Sequence, residues 1–173
     1  MKKLIISCDS YSWVKYCSGM VAENPKDFII MIVFEDDDIP IGGFVNLCKD
    51  AVYVQRHYDL SKIGRRLGIP KIMNLRCNEN SIDLDKLVAQ IQLTLTLERV
   101  SEVYHQDHYL LNKIFNYKDI ISFKYGNSKR NKVLKRVTLS ENIIQKKLRL
   151  SKLMVGKIQE EDAMFFPVVE NYF

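Results

Sequence analysis

Seven consecutive apolar residues, Phe28–Phe34, make the longest apolar run in the chain. The run is strand-sized and far below the ~18 residues of a membrane span. Its Ile and Val content favours an extended conformation. A second run, Leu4–Cys8, ends at a polar corner, the pattern of a buried parallel strand. Between them Trp13–Glu23 can form a helix, which Asn24-Pro25 stops. A strand, a helix and a strand in this order point to an alternating architecture.

The alternation continues along the chain. Glu35-Asp36-Asp37-Asp38, Pro40 and Gly42-Gly43 mark a loop, and Val54–Leu67 reads as a helix stopped by Gly68. Lys71–Leu75 is the third strand. Asp83 can cap a helix whose Leu84, Leu87, Val88, Ile91 and Leu95 share one face. Ser101–Tyr104 is the fourth strand, followed by a helix over Asp107–Asn116 and a strand over Asp119–Lys124. Asn127 and Ser128 turn the chain, Lys132–Val137 returns as a strand, and Ser140 caps a terminal helix reaching about Gln159. Strands separated by helices predict an α/β protein: a Rossmann-like, three-layer fold with a mostly parallel sheet. At 173 residues, one domain over 1–173 is expected.

Several function classes drop out. The opening Met1–Ile6 has too short an apolar stretch for a signal peptide, and Asp9 interrupts it, so a cytoplasmic location without a membrane partner is expected. Cys8, Cys17, Cys48 and Cys77 form no CxxC pair, which excludes a zinc-finger framework and reads as reduced, mostly buried thiols. Ile41-Gly42-Gly43-Phe44 lacks the spacing of a phosphate-cradling loop. Charge is unevenly placed: Lys124 to Lys157 holds eleven Lys and Arg against Glu141 alone, so it carries +10 within a chain of net +5. Lys129, Arg130, Lys132, Lys135 and Arg136 are therefore candidates for binding an anionic ligand, nucleic acid included. The same pattern also describes a solvated face of a terminal helix. The apolar tail, Phe165-Phe166-Pro167-Val168-Val169 with Tyr172-Phe173, is expected to dock on the sheet or to join copies into a homo-oligomer.

In parallel sheets ligands bind at the carboxyl ends of the strands. That rule nominates two corners: Ser7-Cys8-Asp9-Ser10-Tyr11-Ser12-Trp13 after the first strand, and Tyr104-His105-Gln106-Asp107-His108 after the fourth. The second holds two of the three histidines of the chain. Imidazole at neutral pH can shuttle a proton or ligate zinc. On the first turn of a helix, His105 and His108 would share one side, with Asp107 between them to orient a ring.

These segments resemble the LmbE-like (PIG-L) N-acetylglucosaminyl deacetylases. His105-Gln106-Asp107-His108 matches the family's His-Pro-Asp-His motif in part, and Leu4–Trp13 followed by Cys17-Ser18-Gly19-Met20 occupies the frame of its first motif. Arg56 and Asp59, before Arg66-Leu67-Gly68, sit like the family's Arg…Glu helix, and Val137 to Met154 with Lys147 like its terminal helix. The resemblance implies zinc as cofactor and a sugar-containing small molecule as ligand. It implies Asp9, Ser12 and His108 as the metal ligands and His105, Asp107 and Tyr11 as catalytic groups. Arg56 and Trp13 become substrate-contacting residues, with Trp13 able to cover the crevice or to plug it.

The first motif departs from the family. Its histidine, base and second aspartate become Asp9, Tyr11 and Ser12. Zinc needs about three firm ligands plus an open water position, and Asp9 with His108 makes two. A phenol with a reference pKa of about 10 is a weak base at neutral pH. Three readings stay open: a divergent zinc-dependent deacetylase, a non-catalytic relative binding an anionic partner through its basic segment, and another reaction on a sugar or nucleotide in the same crevice.

Overall fold

The computed structural model describes residues 1–34, 64–115, 121–126, 132–152 and 169–173. The expectations for Glu35–Asp38, Gly42, Gly43, Cys48, Arg56 and Asp59 lie outside the described residues. So do those for Asn127, Ser128, Lys129, Arg130 and the tail over 153–168.

The elements in chain order are β1 (Lys2–Ser7), α1 (Ser10–Glu23), β2 (Phe28–Phe34), β3 (Lys71–Cys77), α2 (Leu84–Leu97), β4 (Val100–Gln106), α3 (Tyr109–Ile114), β5 (Ile121–Tyr125), β6 (Lys135–Thr138), α4 (Glu141–Lys152) and β7 (Val169–Tyr172). The first five strands form one sheet in the order β3-β2-β1-β4-β5. Every neighbouring pair in it is parallel.

The sheet buries both faces. Ile5, Ile30, Ile32 and Tyr104 pack against Trp13, Val14, Cys17, Met20 and Val21 of α1. On the other side Leu4, Ile6, Ile29, Met31, Val33 and Val103 pack against α2 and α3 through Leu87, Ile91, Leu95, Leu110, Leu111 and Ile114. This double burial explains why Phe28–Phe34 has no polar position: all seven residues are buried. The three-layer expectation is met.

Local signals hold where side chains decide them. The Asp83 carboxylate accepts from the Lys86 N–H at 3.1 Å, capping α2. Gly68 adopts φ +76° at the end of the helical turn over 64–67, and its N–H donates to the Gly64 carbonyl at 2.8 Å. Two boundaries move with consequences. β4 extends to Gln106, so His105 lies inside a strand, and the next helix begins only at Tyr109. β6 does not enter the main sheet but pairs antiparallel with β7, Lys135 opposite Tyr172. Phe173 then exchanges both backbone hydrogen bonds with Lys124, 2.6 and 2.8 Å, so the last residues dock on β5.

One buried network fastens this C-terminal part to α1. The Lys147 ammonium donates to Glu170 Oε1 at 2.5 Å, and both side chains are almost fully enclosed. Glu170 also accepts from the Gly19 N–H at 2.7 Å, the Met20 N–H at 2.8 Å and the Tyr172 hydroxyl at 3.0 Å. A Cβ at Gly19 would collide with Leu139 Cδ2 and stand 2.8 Å from Glu170 Oε1. Glycine is thus required for the close approach rather than for a turn. Removing one partner leaves the other charge buried and alone, at a cost of about 3–5 kcal/mol. Glu170→Ala is expected to lose stability in that range in chemical denaturation, whereas Gly19→Ala loses about 1–3 kcal/mol by overpacking. A loss below about 1 kcal/mol for Glu170→Ala would contradict the network's role.

Candidate functional site at the joined ends of β1 and β4

β1 and β4 are parallel neighbours, Ile6 opposite His105, so both nominated corners lie on one rim. A side chain joins them there. The Gln106 carboxamide oxygen accepts from the Cys8 N–H at 2.8 Å and from the Ser7 hydroxyl at 3.3 Å. β2 lies on the other side of β1, so this rim is where the strand order reverses, the place where such sheets hold ligands.

Asp9 and Ser12 meet, but as a helix cap. Asp9 Oδ1 accepts from the Ser12 N–H at 2.6 Å and Oδ2 from the Ser12 hydroxyl at 2.7 Å. An aspartate just before a helix satisfies donors of its first turn in this way. Tyr11 belongs to that first turn of α1; its side chain lies outside the described residues. Trp13 has no exposed surface, and its indole nitrogen is buried without a hydrogen-bond partner among the described residues. Its side chain belongs to the core between α1 and the sheet.

The two histidines have different roles in the fold: His105 lies inside β4, and His108 is the residue that caps α3. The ring of His105 is buried and stacked on Phe115, centroids 4.7 Å apart, and its Nδ1 donates to the Gln106 carbonyl oxygen at 3.1 Å. Burial, assisted by Lys124, lowers its pKa to about 4 against the opposing effect of that hydrogen bond and of Asp107. The ring is therefore neutral at pH 7 and carries no proton to give as an imidazolium acid. His108 caps α3: its Nδ1 accepts from the Leu110 N–H at 3.3 Å, while its Nε2 lies 3.1 Å from Glu79 Oε1. Asp107 orients neither ring. Its Oδ1 accepts from the Asn112 amide at 2.8 Å.

Glu79 and Gln106 are the residues that reading the sequence missed. The strand-end rule would have found Glu79, had it been applied to β3 as it was to β1 and β4. Gln106 stood inside the matched motif without a role.

The cationic candidates separate. Lys135 lies 3.6 Å from Glu102, donates to the Tyr104 hydroxyl and covers the Tyr104 and Phe123 rings at 5.0 and 5.5 Å. It is part of the fold's packing rather than an open anion contact. Lys132 and Arg136 are exposed, with Arg136 Nε 3.4 Å from Asn171 Oδ1. The +10 segment also presents Lys146 and Arg149 to solvent, while Lys147 is consumed by Glu170.

No protein-family model matches the chain, and no curated protein matches its sequence. Solved structures do. The N,N′-diacetylchitobiose deacetylase of Pyrococcus horikoshii superimposes with a TM-score of 0.75 at 12% identity, over 99% of this chain and 82% of that one. The 4-carboxy-2-hydroxymuconate hydratase of Pseudomonas putida gives 0.70 at 13% identity, over 96% and 82%. A zinc-inhibited form of teicoplanin deacetylase gives 0.66 at 8% identity, over 88% and 83%. The chain thus has the α/β fold of the LmbE/PIG-L-type deacetylases, at low sequence identity. The same fold also carries a hydratase, so it does not by itself set the reaction.

Zinc, which the resemblance implies, finds no ready ligand set among the described donors at this rim. Both Asp9 oxygens cap α1, and both His108 nitrogens are engaged. Burial, with Asp9 and Glu79 adding, pushes the Cys8 thiol far above its ordinary range, away from the thiolate a metal or a redox reaction needs. Among the described residues no three His, Cys, Asp or Glu side chains converge to hold a metal.

The neutral His105 sets a pH dependence. An unfolded histidine titrates near 6.5, so between about 6.5 and 4 the unfolded chain binds a proton that the folded one does not. Stability contributed here is full above about 6.5 and is lost as pH falls toward 4, by an amount on the order of 3 kcal/mol. His105→Leu is expected to flatten this segment of the stability-against-pH curve. An unchanged slope would place the acid sensitivity elsewhere.

Proposed function

We propose that the protein is a divergent relative of the deacetylases that binds an N-acylated sugar where β1 and β4 meet, with zinc hydrolysis given up. The observation that carries this is the pairing of a ligand-type rim with a donor set closed on itself. Ser7, Cys8, Asp9, Ser12, Gln106 and His108 gather at the strand-order reversal, yet their polar atoms bond to one another or to helix ends. A hydrolase needs an activated water and a base there. A binding site needs only shape and a few hydrogen bonds that can be exchanged. The sugar class is taken from the chitobiose deacetylase, which shares the fold over nearly the whole chain.

Trp13, the only tryptophan, is a built-in probe beside the rim. Titration of the full chain with N,N′-diacetylchitobiose is expected to change Trp13 emission saturably, with half-saturation at about 1 mM or below. Amide resonances of Cys8, Asp9, Ser12 and Gln106 should move together. Shifts confined to other residues, or none at all, would reject this reading.

A second reading follows from the exposed Lys132, Arg136, Lys146 and Arg149 on β6, α4 and the segment before them. These residues can bind a polyanion such as nucleic acid. Its affinity would fall steeply with salt, and Arg136→Glu with Arg149→Glu would lower the log–log slope by about 0.9 for each phosphate no longer neutralised. Salt-independent binding would remove it.

A further inference from the structure

The segment after β3 reaches over the rim to the β4 corner. Arg76 has a left-handed φ of 53°, and the β2–β3 register shifts between Ile32 and Phe34, the sign of a bulge that redirects the strand end. A short 3-10 turn, Glu79–Ser81, follows, tied by the Asn78 side chain accepting from the Asn80 N–H at 2.9 Å. Phe34, the last residue of β2, pairs with Cys77 on one side and donates its N–H to the Cys8 carbonyl at 3.2 Å on the other. Its ring stands 5.5 Å from that of His108. The contact between Glu79 and His108, 3.1 Å, therefore bridges the ends of β3 and β4 across the ends of β2 and β1.

We propose that Glu79 is a latch. Its carboxylate takes, on His108 Nε2, the place a metal ion would take, and so fastens the β3 loop to the start of α3. This rests on the reading that the rim works without zinc. The tautomer follows from the partners. Nδ1 accepts the Leu110 N–H with its lone pair, so the ring proton is on Nε2, which donates to Glu79. Zinc binds through a nitrogen lone pair. To ligate here, His108 would have to lose the Nε2 proton and Glu79, or turn its ring over and release the cap of α3. His108 is thus a positioning residue: it sets the helix start on one side and the loop on the other.

Long-range ¹H–¹⁵N spectra of the full chain at neutral pH test this directly, because only three histidines need assignment. The expected His108 signature is a protonated Nε2 and an unprotonated Nδ1, unmoved by one equivalent of zinc chloride. In Glu79→Ala the Nε2 proton should exchange with solvent about ten-fold faster, as expected for loss of a hydrogen bond to a charged group. Glu79 is partly exposed, so this variant keeps the core intact. A protonated Nδ1, loss of the Nε2 proton on adding zinc, or no response to Glu79→Ala would each overturn the latch. A failed sugar titration with the His108 signature intact would sink only the sugar reading.

Discussion

A single buried carboxylate decides where the C-terminal third of the chain meets the sheet. Glu170 neutralises Lys147 and takes two backbone N–H groups from the middle of α1. Burying such a pair is no net gain by itself, because desolvation offsets the attraction. Its effect is positional. The carboxylate can be satisfied only if β7 lies against α1 at Gly19, with α4 delivering Lys147 from the other side. The C-terminal half of α1 is thereby tied to β7 and α4, while Asp9 caps the first turn of the same helix at the end of β1.

At the rim itself the governing rule is polar satisfaction. Each donor or acceptor drawn out of water needs a partner, and here the partners are internal: Gln106 for β1, Asp9 for α1, His108 for α3 and Glu79 for His108. A metal site asks the opposite, several lone pairs left unspent and pointing at one place. A hydratase and deacetylases share this architecture, so the fold by itself does not set the reaction.

The fold was legible because its signals are local and redundant. Phe28–Phe34 admits only a buried strand, Asp83 and Gly68 carry their own cap and stop chemistry, and the apolar face of α2 names Leu87, Ile91 and Leu95 of the core, although Leu84 on the same face is exposed. The strand-end rule also placed both corners correctly on one rim. Side-chain direction was not legible in the same way. Whether His105 and His108 converge depends on where β4 ends, and two extra strand residues sent one ring into the core beside Phe115 and left the other as a cap. Lys135 and Lys147 looked like surface charges because their partners, Glu102 and Glu170, lie 33 and 23 residues away. Long-range pairing of this kind has no sequence periodicity to betray it.

Asp9, Ser12 and His108 make cap and side-chain hydrogen bonds at the rim, and the proposed function turns on whether those bonds yield to a metal. The most direct measurement is the zinc content of the purified full chain after saturation and buffer exchange, compared with Asp9→Ala and His108→Ala. No stoichiometric zinc that depends on these residues is expected, so any retained metal is the same in all three proteins. One zinc per chain, lost in both variants, would contradict this.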